Sequence, residues 1–283
     1  MFNQFILVLT TILLAQIALN AGFWLIGREN LPLIAIGLTQ LLPGLIVLLM
    51  AGTYRRRLWT LIRRIPPLRP LAGWWLWTAL VICACGATVL FFGVETAPVD
   101  AATIATYPFA WLLPDAASAT PVAFLVFLLL CGPLLHLVTA AGEEVLWRGY
   151  LLDGLTERFG VRAAVIGSAF AWGAWHIPMV IAIAWVFPQP LLGSVLFTLS
   201  LTSWGIVMAC LRLRHESLWT PVLMHAVANA FTLGAYDLIA DPHSNWLTSP
   251  WGVTGMVLTL PVALWLLSRL KPGSRQAPNR HSS

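Results

Sequence analysis

The chain contains eight apolar segments, and this pattern limits what it can fold into. Each is close to the ~20 residues that an α-helix needs to cross ~30 Å of hydrocarbon. The segments occupy residues 4–26, 33–52, 73–94, 120–141, 161–187, 191–211, 217–236 and 250–268. Because lipid offers no partner to a free peptide group, a spanning segment must be helical. The sequence therefore predicts an all-α membrane protein with about eight transmembrane helices.

The low content of charged residues supports the same class. Of 283 residues, 59% are hydrophobic and 10% are charged, whereas soluble domains carry roughly 25% charged residues. So few charges cannot cover a water-soluble surface of this size. The first segment lacks the basic start and the small-residue cleavage site of a signal peptide, so we expect it to be a retained helix.

The positions of the basic residues predict the orientation in the membrane. They lie in alternate loops and after the last segment, namely Arg55, Arg56, Arg57, Arg63, Arg64, Arg69, Arg158, Arg162, Arg212, Arg214, Arg269, Lys271, Arg275 and Arg280. The other loops are acidic or neutral, apart from Arg28 beside Glu29. By the positive-inside rule, both termini are cytoplasmic. We expect a multi-pass protein in contact with the lipid bilayer and not with nucleic acid.

Three regions follow from this pattern. Residues 1–119 are predicted to hold helices 1 to 3, with a basic cytoplasmic loop and a loop at 95–119 to which no chemistry is assigned. Residues 120–268 are predicted to hold helices 4 to 8 and the functional core, and residues 269–283 a disordered tail. Within the first region, residues 55–70 are expected to form an amphipathic surface helix whose arginines suit an anionic leaflet.

Polar chemistry enters the apolar segments at three places. Glu143 and Glu144 follow about twenty apolar residues, His176 lies in the fifth segment, and His225 and Asn229 lie in the seventh. Each ionised side chain at membrane depth costs ~2.5–3.5 kcal/mol on insertion scales. We therefore expect these groups to face an internal, water-accessible cavity rather than lipid.

The spacing of these residues is helical. Glu144 and Arg148 are four residues apart, as are Trp172 and His176 and also His225 and Asn229, so each pair shares a helix face. Arg148 is predicted to form a structural ion pair with Glu144. Trp172 is expected to be mainly a packing aromatic. The four cysteines, Cys83, Cys85, Cys131 and Cys210, all fall in apolar runs and are expected to act as small hydrophobes.

Two kinds of chemistry fit this set. A carboxylate beside a second one in an apolar cavity can act as a general base, and imidazole and carboxamide groups can hold the oxyanion formed when water attacks an amide. The alternative is zinc, with Glu143, His176 and His225 as ligands and a fourth position open to water, although no His-Glu-x-x-His motif is present. A non-catalytic binding or scaffold protein would use the same cavity, and a proton-coupled transporter is disfavoured because no internal repeat is visible.

The three motifs resemble those of the CPBP (Abi-like) family, which comprises CAAX prenyl endopeptidases of type II and bacteriocin-processing proteins. Its pattern is Glu-Glu-x-x-x-Arg, Phe-x-x-x-His and His-x-x-x-Asn or Asp on separate membrane helices. Here the motifs span residues 143–148, 172–176 and 225–229, with Trp172 in place of the usual phenylalanine. The resemblance covers residues 120–235.

This resemblance implies an intramembrane protease whose site opens to the cytoplasmic side. Glu143 would activate water with help from Glu144 and His176, and His225 and Asn229 would form an oxyanion hole, with Arg148 and Trp172 in support. The implied substrate is a prenylated or otherwise membrane-associated protein, and the resemblance implies no cofactor. Some relatives are linked to bacteriocin immunity, which keeps a scaffold role as the alternative.

Overall fold

A computed structural model describes residues 2–26, 39–92, 100, 104–105, 107, 112–113, 120–183, 189–236 and 246–270. Most of the loop at 95–119, the tail from 271 onward and the first part of the second apolar segment lie outside the described residues. The helices are α1 (Phe2–Ile26), α2 (Leu42–Met50), α3 (Arg55–Arg63), α4 (Leu68–Phe91), α5 (Pro121–Leu130), α6 (Gly132–Leu135), α7 (Leu137–Glu144), α8 (Leu152–Phe159), α9 (Val161–Trp175), α10 (Ile177–Ile183), α11 (Pro190–His215), α12 (Trp219–Phe231) and α13 (Val253–Ser268). Two π-helical segments, Val145–Leu151 and Thr232–Tyr236, follow α7 and α12.

The described residues are helical throughout their regular structure, so the predicted all-α class is confirmed. Four stretches are long and apolar enough to cross a membrane, namely Asn3–Ile26, Leu68–Phe91, Val161–Ala182 and Pro190–His215. Pro121–Leu130 and Val253–Ser268 are apolar but shorter. The chain is an integral membrane protein on this basis, and the count of eight spans stays a prediction.

The fourth apolar segment continues as helix past the two carboxylates. It is divided into α5, α6 and α7. The first break lies at Cys131, and Pro133, which has no N–H to donate, is the second residue of α6. The helix then passes without a break through Val145–Leu151 into α8 and ends before Gly160, whose φ of 82° is left-handed. A π-helical turn is rare and often marks a functional site.

The fifth and seventh segments also change geometry at the residues of interest. α9 ends at Trp175, and His176 links it to α10, where Pro178 lacks the N–H that would bond to residue 174. α12 carries His225 and Asn229 before it passes into the π-helical segment Thr232–Tyr236. These changes place helix-end backbone beside the polar side chains.

The helices that carry the motifs lie at the centre of the packing. α9 runs along α11 and α11 along α13, while α12 packs against α4, α6 and α7. α2 and α7 cross at glycines, because a Cβ on Gly142 would lie 2.7 Å from the carbonyl oxygen of Gln40, and one on Gly44 would lie 2.5 Å from that of Gly142. This close approach fixes the chain directly before Glu143.

Two expectations about basic residues need correction. The surface helix α3 ends at Arg63, and the last part of the predicted 55–70 helix belongs to α4. Arg212 is not a loop residue. It lies in the last turn of α11 with no exposed surface, and its Nη2 donates to Asp153 Oδ1 at 2.5 Å.

Candidate active site

The two adjacent carboxylates are both fully buried and have different partners. Oε2 of Glu143 accepts a hydrogen bond from Nε1 of Trp172 at 2.6 Å. Oε1 of Glu144 accepts two, from Nη1 of Arg148 and from Nδ1 of His225, both at 2.8 Å. Because the residues are consecutive on α7, one carboxylate points to α9 and the other to α12.

Glu143 keeps one oxygen unused. Within the described part of the chain, its Oε1 is buried and has no hydrogen-bond partner. A buried carboxylate oxygen without a donor is unfavourable by about 1–3 kcal/mol or more. The unused oxygen therefore indicates a place where a water molecule or a substrate group binds.

The predicted ion pair between Glu144 and Arg148 is confirmed. Both side chains have no exposed surface. The guanidinium carbon of Arg148 also lies 4.2 Å from the centre of the Trp172 ring. A cation over an indole face is attracted by the ring quadrupole, by ~2 kcal/mol or more when both groups are desolvated.

His176 is held at one ring nitrogen. Its Nδ1 lies 2.8 Å from the carbonyl oxygen of Trp172. A carbonyl can only accept, so Nδ1 carries the hydrogen and Nε2 is left for other chemistry. The ring packs against Trp175 and Phe197, with centroid separations of 4.8 and 5.3 Å.

His225 and Asn229 lie one helical turn apart on α12, and both are buried. The carboxylate of Glu144 can only accept, so Nδ1 of His225 carries a hydrogen. The imidazole ring lies 5.3 Å from the Trp172 ring. Nδ2 of Asn229 has no hydrogen-bond partner among the residues that the structure describes.

Trp172, predicted only as a supporting residue, connects the site through contacts that the sequence did not predict. It was expected to be a packing residue, but it donates to Glu143, stacks with Arg148, and contacts the rings of His225 and His176, the latter at 6.0 Å. The available signal was its indole N–H, which usually finds a partner when buried. Asn229 is the predicted site residue for which no side-chain contact with the others is recorded.

The predicted water-accessible cavity is not open in this structure. Glu143, Glu144 and Arg148 have no exposed surface, and His176, His225 and Asn229 have at most 9%. Opening of the helical wall is therefore required before a peptide can reach the carboxylates.

The zinc alternative does not fit the arrangement. In the described ranges, no group of three or more His, Cys, Asp or Glu side chains is placed to hold a metal ion. One oxygen of Glu143 is already bonded to Trp172, and Glu144 rather than Glu143 contacts His225. We derive no step through zinc.

A second polar network, centred on Asp153, was not predicted. Asp153 of α8 accepts from Arg212, from Arg57 Nε at 3.2 Å and from Tyr54 Oη at 3.0 Å. It thereby ties α8, which follows the carboxylates, to α11 and to the surface helix α3. The sequence did not indicate this network, because the partners of Asp153 lie far from it along the chain.

Comparison with known proteins finds a family that matches the part of the chain with the candidate active site. The sequence family described as Type II CAAX prenyl endopeptidase Rce1-like matches residues 118–231. The match covers less than half of the chain and includes all three motifs. The predicted family resemblance is therefore confirmed, and all seven predicted site residues, from Glu143 to Asn229, lie within the Rce1-like segment.

A CAAX prenyl protease 2 of the archaeon Methanococcus maripaludis is similar over a shorter stretch. It is 29% identical to this chain over 100 residues. The alignment covers 34% of this chain and 37% of that protein, so the match spans well under two thirds of the relative. α1 to α4 lie outside the Rce1-like segment.

Proposed function

We propose that the chain is an intramembrane endopeptidase that hydrolyses a peptide bond in a prenylated, CAAX-type or other membrane-associated protein. The Rce1-like segment supports this class of peptidase. The observation that carries the proposal is the difference between the two carboxylates. Each keeps one buried oxygen without a partner in the described residues, but only Glu144 is paired with Arg148 and His225, whereas Glu143 is bonded to the neutral indole of Trp172.

Glu143 is the general base. The Trp172 N–H holds Oε2, so that Oε1 faces the reactants with its lone pairs available. A base must lie within hydrogen-bond distance of the proton that it removes. Water bound at Oε1 would meet this condition.

Nε2 of His225 is the ring nitrogen left for the substrate. Nδ1 donates to the carboxylate of Glu144, so the second ring nitrogen points away from Glu144. In the proposed mechanism, Nε2–H donates to the oxygen of the scissile carbonyl.

The oxyanion hole is formed by His225 and Asn229. Nε2–H of His225 and the unpartnered Nδ2 of Asn229 are two donors on one face of α12. Donors that are already oriented stabilise developing negative charge without reorganisation. Glu144 acts as a positioning residue, because it orients His225 and does not need to contact water.

The reaction proceeds in two balanced steps. Oε1 of Glu143 takes a proton from water while the water oxygen forms a bond to the carbonyl carbon, and the carbonyl π electrons move to oxygen. The tetrahedral intermediate then collapses, the C–N bond breaks, and the proton on Glu143 passes to the leaving nitrogen. His176, with Nε2 unprotonated, accepts a hydrogen bond from the water and orients it.

The membrane arrangement belongs to the same proposal. Eight spans with cytoplasmic termini would place α3 and the Asp153 network at the cytoplasmic surface of a prokaryotic plasma membrane. A prenylated carboxyl terminus of a cytoplasmic protein would then reach the site from that leaflet.

The test is cleavage of a farnesylated peptide by the purified protein in lipid nanodiscs. Mass spectrometry should detect a product that has lost the residues after the farnesyl-cysteine. Glu143→Gln should lower the rate at least ~10³-fold while the protein stays folded, because an amide cannot take the proton. Glu157→Gln, on the exposed face of α8, is the matched control and should cleave at the wild-type rate. Equal rates for wild type and Glu143→Gln would contradict the proposal.

A further inference from the structure

A second group of buried polar atoms lies beside the candidate active site, on a helix outside the Rce1-like segment. The buried stripe of α1 consists of Phe5, Val8, Ile12, Gln16, Asn20 and Phe23. It is apolar except for the two amides, which lie one turn apart. Gln16 is 2% exposed and Asn20 is 4% exposed.

The orientation of both amides is determined by their bonds. Nε2 of Gln16 donates to the carbonyl oxygen of Trp175 at 3.3 Å, and Nδ2 of Asn20 donates to that of Gln16 at 2.8 Å. Carbonyl oxygens accept only, so the amide oxygens point elsewhere. Over the described ranges, Oε1 of Gln16 and Oδ1 of Asn20 are buried and have no partner.

Two buried indole N–H groups also lack partners among the described residues, and one of them belongs to Trp175, whose main chain Gln16 contacts. Nε1 of Trp175 and Nε1 of Trp147 are also buried without a hydrogen-bond partner in the described part of the chain. The two rings lie 5.8 Å apart, and Trp175 contacts His176 at 4.8 Å. Gln16 therefore bonds to the residue directly before a predicted catalytic histidine.

We propose that Gln16 and Asn20 form a subsite that binds the main chain of the peptide substrate beside His176. An extended peptide presents N–H groups for the two amide oxygens and C=O groups for the two indole N–H groups. Unpaired polar groups at membrane depth are unfavourable unless a ligand completes them. The subsite is enclosed like Glu143, so both become accessible in the same opened state.

This inference depends on the proposed peptidase function, but it is tested by binding rather than cleavage. The probe is a fluorescent peptide ending in a farnesylated CAAX sequence, bound to full-length Glu143→Gln protein in nanodiscs. We expect Gln16→Met or Asn20→Leu to raise the Kd about tenfold, as the loss of one buried hydrogen bond would. Gln4→Met is the matched control and should change the Kd less than twofold. Gln4 lies on the same helix, also donates to a main-chain carbonyl, that of Met50, and is ~18 Å away.

Methylation of the peptide nitrogens separates a contact from a structural effect. At one position on the peptide, N-methylation should raise the Kd about tenfold for Glu143→Gln protein. The same methylation should have less than a twofold effect once Gln16→Met is also present, because the acceptor is gone. In the active protein, Gln16→Met should raise KM and change kcat less than twofold.

The outcomes are distinguishable. If the farnesylated peptide binds but every N-methylation has the same effect with and without Gln16, the subsite proposal is wrong and the peptidase proposal stands. If Glu143→Gln protein does not bind the peptide at all, the subsite proposal is wrong, whereas the peptidase proposal is decided separately by the cleavage rates of wild-type and Glu143→Gln protein.

Discussion

Trp172 determines how the two neighbouring glutamates differ. Its indole N–H donates to one oxygen of Glu143. Its ring makes a cation–π contact with the guanidinium of Arg148, which also pairs with Glu144. Each glutamate keeps one buried oxygen without a partner in the described residues. They differ in the other oxygen, because that of Glu143 accepts from a neutral indole and that of Glu144 accepts from Arg148 and His225. Two chemically identical side chains acquire different roles from their neighbours.

The indole N–H can be tested without removing the ring. Trp172→Phe keeps an aromatic side chain under Arg148 but loses the donor to Glu143. A hydrogen bond to a charged group is worth ~1.5–3 kcal/mol, so we expect kcat to fall by roughly tenfold or more with little change in KM. Steady-state cleavage measures this. Trp59→Phe on the exposed face of α3 is the control, and an unchanged kcat for Trp172→Phe would show that the bond to Glu143 is dispensable.

Arg148 is predicted to stabilise the fold. Arg148→Met leaves Glu144 buried without its cation, so the free energy of unfolding should fall by about 3–5 kcal/mol. Arg64→Met breaks an ion pair with Glu216 that is largely exposed and should lower it by less than ~1 kcal/mol. Denaturant unfolding in micelles compares the two variants. Similar losses for both would contradict a buried structural pair.

The individual residues were predictable to a limited degree. The pair Glu144–Arg148 follows from i,i+4 spacing, and the grouping of Glu143, His176 and His225 near one another follows from the difficulty of placing them in lipid. The bond from Trp172 to Glu143 joins two helices, and no spacing rule predicts such a contact. The amide pair on α1 was visible as Gln16 and Asn20 in an apolar stripe, but its position beside Trp175 required the structure.

At the scale of helices, the irregular turns are what bring the side chains together. The helix of the carboxylates continues through a π-helical segment, and the helix of His176 ends at that residue. The runs of apolar residues predicted a helix at each place. They do not predict where a helix is interrupted, because a single residue such as Pro133 or His176 leaves the segment around it apolar.

The glycine crossing between α2 and α7 should be intolerant of a side chain. In Gly142→Ala, the new Cβ would lie 2.7 Å from both the Gln40 oxygen and the Leu41 Cα, which are backbone atoms. We expect the crossing to open, with a loss of ~1–3 kcal/mol in stability and a lower cleavage rate. Gly86→Ala is the matched control, because nothing lies within 4 Å of its Cβ position in α4. That variant should gain up to ~1 kcal/mol from helix propensity, and equal effects in both would be inconsistent with the close crossing.

At the scale of the whole molecule, the buried polar residues form two separate groups. The candidate active site lies between α7, α9 and α12, and the network of Asp153, Arg212, Arg57 and Tyr54 joins α8, α11 and α3. The sequence predicted the all-helical class and the core segment. It did not predict the second network. From the sequence alone, Arg212 is interpreted as a loop residue that sets the orientation in the membrane, because its neighbours in space are unknown.

The predicted orientation can be measured by labelling single cysteines. In a background without Cys83, Cys85, Cys131 and Cys210, Thr60→Cys reports on α3 and Thr120→Cys on the start of α5, and both positions are exposed. A membrane-impermeant maleimide should label position 120 in intact cells and position 60 only after the cytoplasm is opened, as the positive-inside rule requires. The reverse pattern would place the termini on the opposite side.

The most direct measurement is the cleavage rate of a farnesylated peptide by wild-type and Glu143→Gln protein in nanodiscs, each after complete removal of metal by a chelator. A carboxylate base predicts that metal-free wild type keeps its full rate and that Glu143→Gln loses at least ~10³-fold. A Glu143→Gln protein as fast as wild type, or a wild-type rate that disappears with the chelator and returns with added zinc, would contradict water activation by Glu143.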